Sequence, residues 1–465
     1  MSNTKKLKKK RLLITLGIVF ALVISTTAVI FFAKGYRFNP QKGSIIKGTG
    51  LLSVTSQPKS AQVYIDGKLT TATDDTLNLP PDTYNVRIQK QGYIPWEKNL
   101  PIEAELVTTT DARLFPSVPS LTALIYTDAQ KPTPSPNGQK LAYVVENSRN
   151  QDLNGLYILD LTNSLLPLKR QPTQVAASTD DFDFTQANIV WSPDSKQILA
   201  ATTNQEDQSI TNSYLLDSDK TNQLSNTPDV TIQLPLIFTN WEQELTKQET
   251  QHLSNLPDFM FDVATSSAKN VYFSPDGEKM LYTATKELTI PPQLDQPLAS
   301  TNPTPQQRDI KQNQLYIYDI KEDTNFGLGS APDSNSYSTD KILLFETSPT
   351  PTQADATAAG QQEQPDYNRL QEDNTPLQTL LAFKAHYSAL FTNNPQWFPT
   401  SRHLITTTQD QIVIKEYDNT NPASVYSGPF DNTFIYPTPN GDRLILRANL
   451  NQNEEPLNLY TLDLK

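Results

Sequence analysis

Apolar and polar positions follow three successive patterns along this chain. Residues 12–32 show no alternation at all: 21 positions, opening at Leu12 and closing at Phe32, carry no charge. At 1.5 Å per residue such a run spans the ~30 Å hydrocarbon core of a bilayer, so the pattern predicts a transmembrane helix. From residue 50 the period falls to two. Leu52-Ser53-Val54-Thr55-Ser56, Ala61-Gln62-Val63-Tyr64-Ile65, Thr83-Tyr84-Asn85-Val86-Arg87-Ile88 and residues 100–106 alternate, with turns at Asp66-Gly67 and Pro80-Pro81-Asp82. Period two marks half-buried strands, and residues 50–112 are expected to form a small antiparallel β-sandwich.

Beyond residue 120, short β-type runs flank a recurring turn: Ser135-Pro136-Asn137-Gly138, Ser192-Pro193-Asp194-Ser195, Ser274-Pro275-Asp276-Gly277, Phe398-Pro399-Thr400-Ser401 and Thr438-Pro439-Asn440-Gly441. Pro donates no ladder hydrogen bond, and Asn-Gly or Asp-Gly tolerates positive φ, so each turn closes a hairpin. A further apolar strand closing on an acid follows each hairpin, at residues 156–161, 213–217, 315–320, 412–418 and 459–464. Self-similarity of this kind predicts a β-propeller over residues 120–465. The turn prolines lie 57, 82, 124 and 40 positions apart, against a minimal blade of ~40 to 45 residues. Insertions therefore sit in most blades. The longest gap has room for a degenerate blade around residues 341–345, giving five or six blades, with five favoured. An unassigned run at 121–126 precedes the first hairpin and is expected to supply the outer strand of the last blade, closing the ring.

The insertions differ in character. Residues 239–257 contain Trp241-Glu242-Gln243-Glu244-Leu245-Thr246-Lys247-Gln248, good helix formers that predict a helix decorating the second blade. A second short helix is expected at 377–390. Residues 288–312 and 348–374 are rich in Pro, Thr, Gln and Asp and read as mobile loops. Residues 33–49 form a linker.

Charge sets the orientation. Residues 1–37 hold eight Lys or Arg and no acid, six of them in the tail 1–11, leaving 30 basic against 50 acidic residues beyond, a formal charge of −20. Basic flanks stay cytoplasmic, which predicts an uncleaved anchor in the lipid bilayer with all later domains outside the cytoplasmic membrane. The acidic exterior argues against nucleic acid and against anionic lipid headgroups. No cysteine is present, which excludes thiol chemistry and Cys-based metal sites.

The sandwich segment carries a specific likeness. Leu52-Ser53-Val54-Thr55-Ser56-Gln57-Pro58, Ala61-Gln62-Val63-Tyr64-Ile65-Asp66-Gly67, Leu79-Pro80-Pro81-Asp82-Thr83-Tyr84-Asn85-Val86 and Gly92-Tyr93-Ile94-Pro95-Trp96 resemble the successive motifs of the PEGA domain, a small surface-associated bacterial module. Two departures fall in turns: residues 68–77 lack the family's usual Gly and Thr-Pro, and Asp82-Thr83 stands where a Gly normally precedes the Tyr. The later hairpins and the Leu315-Tyr316-Ile317-Tyr318-Asp319 strand resemble TolB-type, WD-like propeller repeats. Anchor, PEGA module and propeller together resemble bacterial envelope proteins, a resemblance that implies no activity.

Catalytic signatures are sparse. No G-x-S-x-G, G-x-G-x-x-G or phosphate loop occurs, so nucleotide use is not expected. His252, His386 and His403 stand in no metal spacing, and no metal or cofactor is expected. The strand-ending Asp160, Asp217, Asp319, Asp418 and Asp463 are expected to bond the turn backbone of their own blades, the alternative being that they line a binding site. Trp191, Phe273 and Trp397 share one register before the turn and are expected to pack between blades. Tyr93, Trp96 and Trp241 lie outside it and are the candidate ligand contacts. The expected function is a non-enzymatic envelope protein binding protein or cell-wall glycan. The alternative is a glycosidase-type propeller with two acids in its channel.

Overall fold

The computed structural model describes residues 2–33, 37–38, 46–125, 128–146, 150–162, 172–204, 209–292, 301–331, 375–392, 395–449 and 457–465. The chain divides into two units, Met1–Pro116 with Leu294–Pro305, and Ser117–Gln293 with Gln306–Lys465. In the first unit, α1 (Ser2–Ala33) contains the whole uncharged run. Its side chains from Ile14 through Ile30 are exposed, 17 positions that cover about 25 Å at 1.5 Å per residue. Among the described residues no helix is long and apolar enough to cross a membrane. A short antiparallel pair follows, β1 (Arg37–Phe38) with β2 (Ile46–Lys47).

Two sheets make the sandwich. One orders β6 (Asp75–Leu79), β3 (Gly50–Gln57) and β9 (Val107–Arg113); the other orders β5 (Lys68–Ala72), β4 (Gln62–Ile65), β7 (Asp82–Gln89) and β8 (Trp96–Ile102). Inward positions two apart supply the core: Leu52 and Val54 from β3, Val63 and Ile65 from β4, Val86 and Ile88 from β7. The sandwich is not purely antiparallel, because β3 and β9 run parallel over seven residue pairs, Leu51↔Val107 to Gln57↔Arg113. The expected strand at 100–106 splits between the end of β8 and the turn before β9. Strands β5 and β6 escape an apolar-alternation reading for a physical reason: both lie at sheet edges and none of their positions is fully buried.

Among the described residues the second unit contains five antiparallel sheets of three or four strands, besides one two-stranded pair. Sheet one is β11 (Gln130–Pro134), β12 (Lys140–Val145), β13 (Gly155–Asp160) and β14 (Thr173–Ala177). Sheet two is β15 (Asn188–Trp191), β16 (Gln197–Thr203) and β17 (Ile210–Asp217). Sheet three is β18 (Ala268–Phe273), β19 (Lys279–Ala284), β22 (Gln314–Asp319) and β23 (Thr324–Ser330); sheet four is β24 (Gln396–Trp397), β25 (His403–Thr407), β26 (Gln411–Glu416) and β27 (Ala423–Ser427). Sheet five orders β28 (Ile435–Pro437), β29 (Arg443–Ala448), β30 (Asn458–Asp463) and, outermost, β10 (Leu121–Ala123). The early run thus closes the ring as its sequence suggests, through Leu121↔Leu462 to Ala123↔Tyr460.

One hydrogen-bond unit makes four of the five turns. Ser135 Oγ donates to Asn137 Oδ1 (2.8 Å) and accepts the Lys140 N–H, while Asn137 Oδ1 also accepts the Gln139 N–H. Ser192 with Asp194, Ser274 with Asp276 and Thr438 with Asn440 repeat it. In the fourth turn Phe398 displaces the hydroxyl, and Thr400 Oγ1 meets His403 Nδ1 at 2.9 Å instead.

Neighbouring sheets are latched by the aromatic register. Trp191 Nε1 donates to Thr133 O of sheet one at 2.9 Å, and Trp397 Nε1 to Tyr272 O of sheet three at 3.4 Å. The same two turns carry Ser195 and Ser401 at positive φ where the others carry Gly. Their hydroxyls accept the N–H of Asn137 and of Asp276 in the preceding sheet's turn. Gln396 Nε2 reaches Ile435 O of sheet five, and Leu141 and Tyr143 of sheet one pack with Ile445 and Leu459 of sheet five. Phe273, in contrast, stacks on His252 at 5.0 Å rather than on a neighbouring blade.

Sheets two and three are joined through helices. α2 (Leu234–Leu253) buries Leu234, Phe238, Trp241 and Leu245, a 3.6-period stripe, against Val190, Leu199 and Ala201 of sheet two. Its last residue, Leu253, joins the core of sheet three beside α3 (Asp258–Asp262). The helix therefore bridges two sheets where the sequence suggested decoration of one. The expected loop at 288–312 is partly ordered too: β20 (Leu288–Thr289) pairs with β21 (Asp309–Ile310), held by buried Ile290 and Ile310. Residues 341–345 and 348–374 lie outside the described residues.

Gly155 opens β13 at φ 149°, and a Cβ there would stand 2.2 Å from Ala176 O. Gly155→Ala should therefore force β13 and β14 apart at the bulge between Leu156 and Tyr157. The expected cost is about 2 kcal/mol or more by urea unfolding, and an unchanged midpoint would show that the bulge relaxes freely.

Candidate functional site

The fourth helix places the candidate site. α4 (Pro376–Thr392) starts with a reciprocal cap, Thr375 N–H to Gln378 Oε1 (2.9 Å) and Gln378 N–H to Thr375 Oγ1 (3.3 Å). It packs on β15, β24 and β28, the first strands of three sheets, and on α2. Touching first strands from several blades means lying along their common axis. Phe383 contacts Phe238 and Trp241, and Phe391 contacts Phe434. The sequence predicts this helix but not its seat.

α4 carries two titratable groups to the axis, Lys384 and His386. Lys384 Nζ donates to Asn188 Oδ1 at 2.8 Å. Solvent reaches this side chain, yet surrounding protein lowers its pKa by desolvation. Lys131 approaches from β11, where a bulge between Gln130 and Thr133 puts it at φ 51°. Its ammonium donates to Thr185 O and, at 2.8 Å, to Ala187 O. Burial lowers its pKa first, the Lys384 charge lowers it further, and Asp183 opposes both.

His386 is pushed down to about 4 by burial. Its folded pKa lies below the ordinary ~6.5, so the unfolded chain binds the extra proton between those values and stability falls as pH drops through that window. Acidification from pH 7 to 4 should cost the native chain up to about 3 kcal/mol more than His386→Gln. Part of the ring still meets solvent, which makes this an upper bound. Denaturant midpoints of both proteins at several pH values check it, and parallel pH slopes would refute it.

The candidate ligand contacts do not form a surface. Trp96 is 5 % exposed in the sandwich core, Trp241 is 8 % exposed between α2 and α4, and Tyr93 is half-buried against the sandwich core, bridged to Pro116. Trp96 and Trp241 were expected to be exposed. Trp96 instead occupies an inward position of β8, and Trp241 completes the apolar stripe of α2. The repeated acids do bond their own turns: Asp160, Asp217, Asp319 and Asp418 accept the N–H two residues on. Asp463 differs, accepting from Arg443 Nε and from Ser120 Oγ beside the closing strand. No group of three or more metal-ligating side chains occurs among the described residues.

A pocket of about 430 Å³ opens beside β21 and β22. Gln306, Arg308, Asp309, Lys311, Gln314 and Tyr316 contribute to its wall. Arg308 is committed to Asp323 and to Pro291 O, Gln314 to Ser330 Oγ, and Asp309 to Thr289. The lining is amide-rich and polar, with Lys311 as the cation that no carboxylate engages among the described residues.

With both units described, the relatives fall into place. Residues 49–117 match the PEGA domain. The PEGA domain thus reaches five residues beyond the strand pattern at its C-terminal end, taking in Leu114 and Phe115, both buried. Among solved structures, the chain is similar to a putative TolB from Agrobacterium tumefaciens (15 % identity, 72 % of this chain and 77 % of that one, TM-score 0.20). It is also similar to TolB from Acinetobacter baumannii (11 % identity, 82 % of this chain, TM-score 0.21), of which it spans 59 %. A third similar structure is the Dos1 propeller (10 % identity, 92 % and 81 %, TM-score 0.17). Among curated proteins none matches the chain.

Proposed function

We propose that this chain is a membrane-anchored binding or scaffold protein of the bacterial cell envelope, with α1 in the cytoplasmic membrane, its N-terminus cytoplasmic and both later domains outside. One observation carries the reading: a helix containing 21 uncharged residues behind a basic tail leads into a PEGA domain and a ring of sheets closed by its own first strand. Such a ring is a rigid platform, and rigid scaffolds present ligands to pockets between their strands and loops. The polar pocket beside β21 and β22 fits a hydroxyl- and amide-bearing polymer, cell-wall glycan or extended peptide, better than an apolar ligand. The PEGA domain serves as spacer or second wall-binding module.

Among the described residues no observation singles out the glycosidase alternative. α4 occupies the axis where it needs two acids, and the charged groups there include Lys384 and Lys131.

Full-length protein in detergent micelles, offered isolated wall glycan and envelope proteins, should retain one class specifically. Lys311→Ala should weaken that retention about ten-fold. Retention of neither class would end the binding reading. External protease acting on intact cells after outer-layer removal should digest residues beyond 49 and spare an N-terminal tag, and the reverse pattern would end the topology.

A further inference from the structure

We propose that the axis of the second unit holds an oxyanion-binding site, formed by the ammonium groups of Lys131 and Lys384 over the Thr185–Asn188 segment, that takes the phosphate or carboxylate group of a ligand. The placement is direct. Lys131 Nζ rests on Thr185 O and Ala187 O, and Lys384 Nζ on Asn188 Oδ1, so the two cations meet consecutive residues from opposite elements, β11 and α4. Each ammonium has three donors. Lys131 spends two and Lys384 one, which leaves three N–H groups on ammoniums anchored to the same short segment.

Charge supplies the driving force. Neither lysine has a carboxylate within ion-pair distance among the described residues. Asp183 is the nearest acid acting on Lys131, and its oxygens are taken by the N–H and hydroxyl of Thr185. Two like charges held near one another repel, and an anion that joins them offsets the repulsion while staying open to solvent on the Lys384 side. Desolvation lowers the pKa of both amines, and the Lys384 charge lowers that of Lys131 further.

The backbone adds a second sign. Lys131 holds φ 51° beside a bulge, a strained conformation for a non-glycine residue, and it is this bulge that aims its side chain across to sheet two. Strain of that sort persists where the surroundings fix it, and it gathers at ligand sites. The site is distinct from the pocket beside β21 and β22, so the failure of one leaves the other standing.

The test uses full-length protein in micelles, with inorganic phosphate and acetate as separate probes. A small amine-acylating reagent followed by peptide mass spectrometry reads the accessibility of Lys384. Phosphate or acetate at ten times its dissociation constant should slow acylation there about ten-fold, saturably, while exposed lysines such as Lys196 keep their rate. Lys384→Gln should weaken calorimetric binding at least ten-fold and Lys384→Arg should retain it. Protection by phosphate alone assigns a phosphate-bearing ligand, and protection by acetate alone a carboxylate-bearing one. No saturable protection by either, or unchanged binding in Lys384→Gln with native near-ultraviolet circular dichroism, overturns the proposal.

Discussion

Trp191→Ala should cost the second unit about 4 to 6 kcal/mol of unfolding free energy. Trp191 is fully buried, in a cluster shared by Ala142 and Val144 of sheet one and Ile198 and Ala200 of sheet two. Removing a buried Trp forfeits its transfer energy and opens a cavity, ~3 to 5 kcal/mol. The orphaned Thr133 carbonyl adds about 1 kcal/mol. Trp191→Phe should keep most of the packing and lose chiefly the latch, about 1 to 2 kcal/mol. Urea unfolding followed by circular dichroism separates the three proteins. An alanine variant within about 1 kcal/mol of wild type would mean that the two sheets do not depend on this contact.

The second large effect concerns a buried ion pair. Lys279 and Asp319 face each other across β19 and β22, 3.5 Å apart, 6 % and 3 % exposed. The ammonium also lies over the ring of Tyr417, in the turn just past β26, at 5.1 Å. Asp319→Ala strands that cation and deprives the Lys321 and Glu322 amides of their acceptor, and should cost about 3 to 5 kcal/mol. Lys279→Met combined with Asp319→Leu should recover most of the loss, because replacing both partners removes the desolvation penalty as well as the attraction. A double variant no more stable than Asp319→Ala would refute this account.

Turn chemistry is what made the five sheets legible. Pro, a hydroxyl and an Asx residue at fixed offsets specify their own hydrogen bonds, so Ser274-Pro275-Asp276-Gly277 can be read without knowing any neighbour. The same holds for four of the five acids that end third strands, Asp463 excepted. Fourth strands such as β14 and β27 escaped because they sit at sheet edges with few fully buried positions. Trp96 and Trp241 were misplaced because register argues what a residue does in a repeat, whereas their burial is decided by a facing sheet and a facing helix. The axial lysines were invisible for a related reason. Lys384 is the lone Lys or Arg of α4 in sequence, a mild signal, and only the ring brings it to Lys131, more than 250 positions earlier.

Ring closure imposes an order on assembly. The hydroxyls of Thr122 and Thr461 meet at 2.8 Å across 339 residues of chain. While the polypeptide is being made, β10 is the first strand of the second unit to emerge and has no partner until β30 has followed. For that interval it is an unpaired edge, the kind of surface that recruits foreign strands. Its brevity, three residues, and the Thr at its centre limit how much ladder and apolar surface a second nascent copy could pair with.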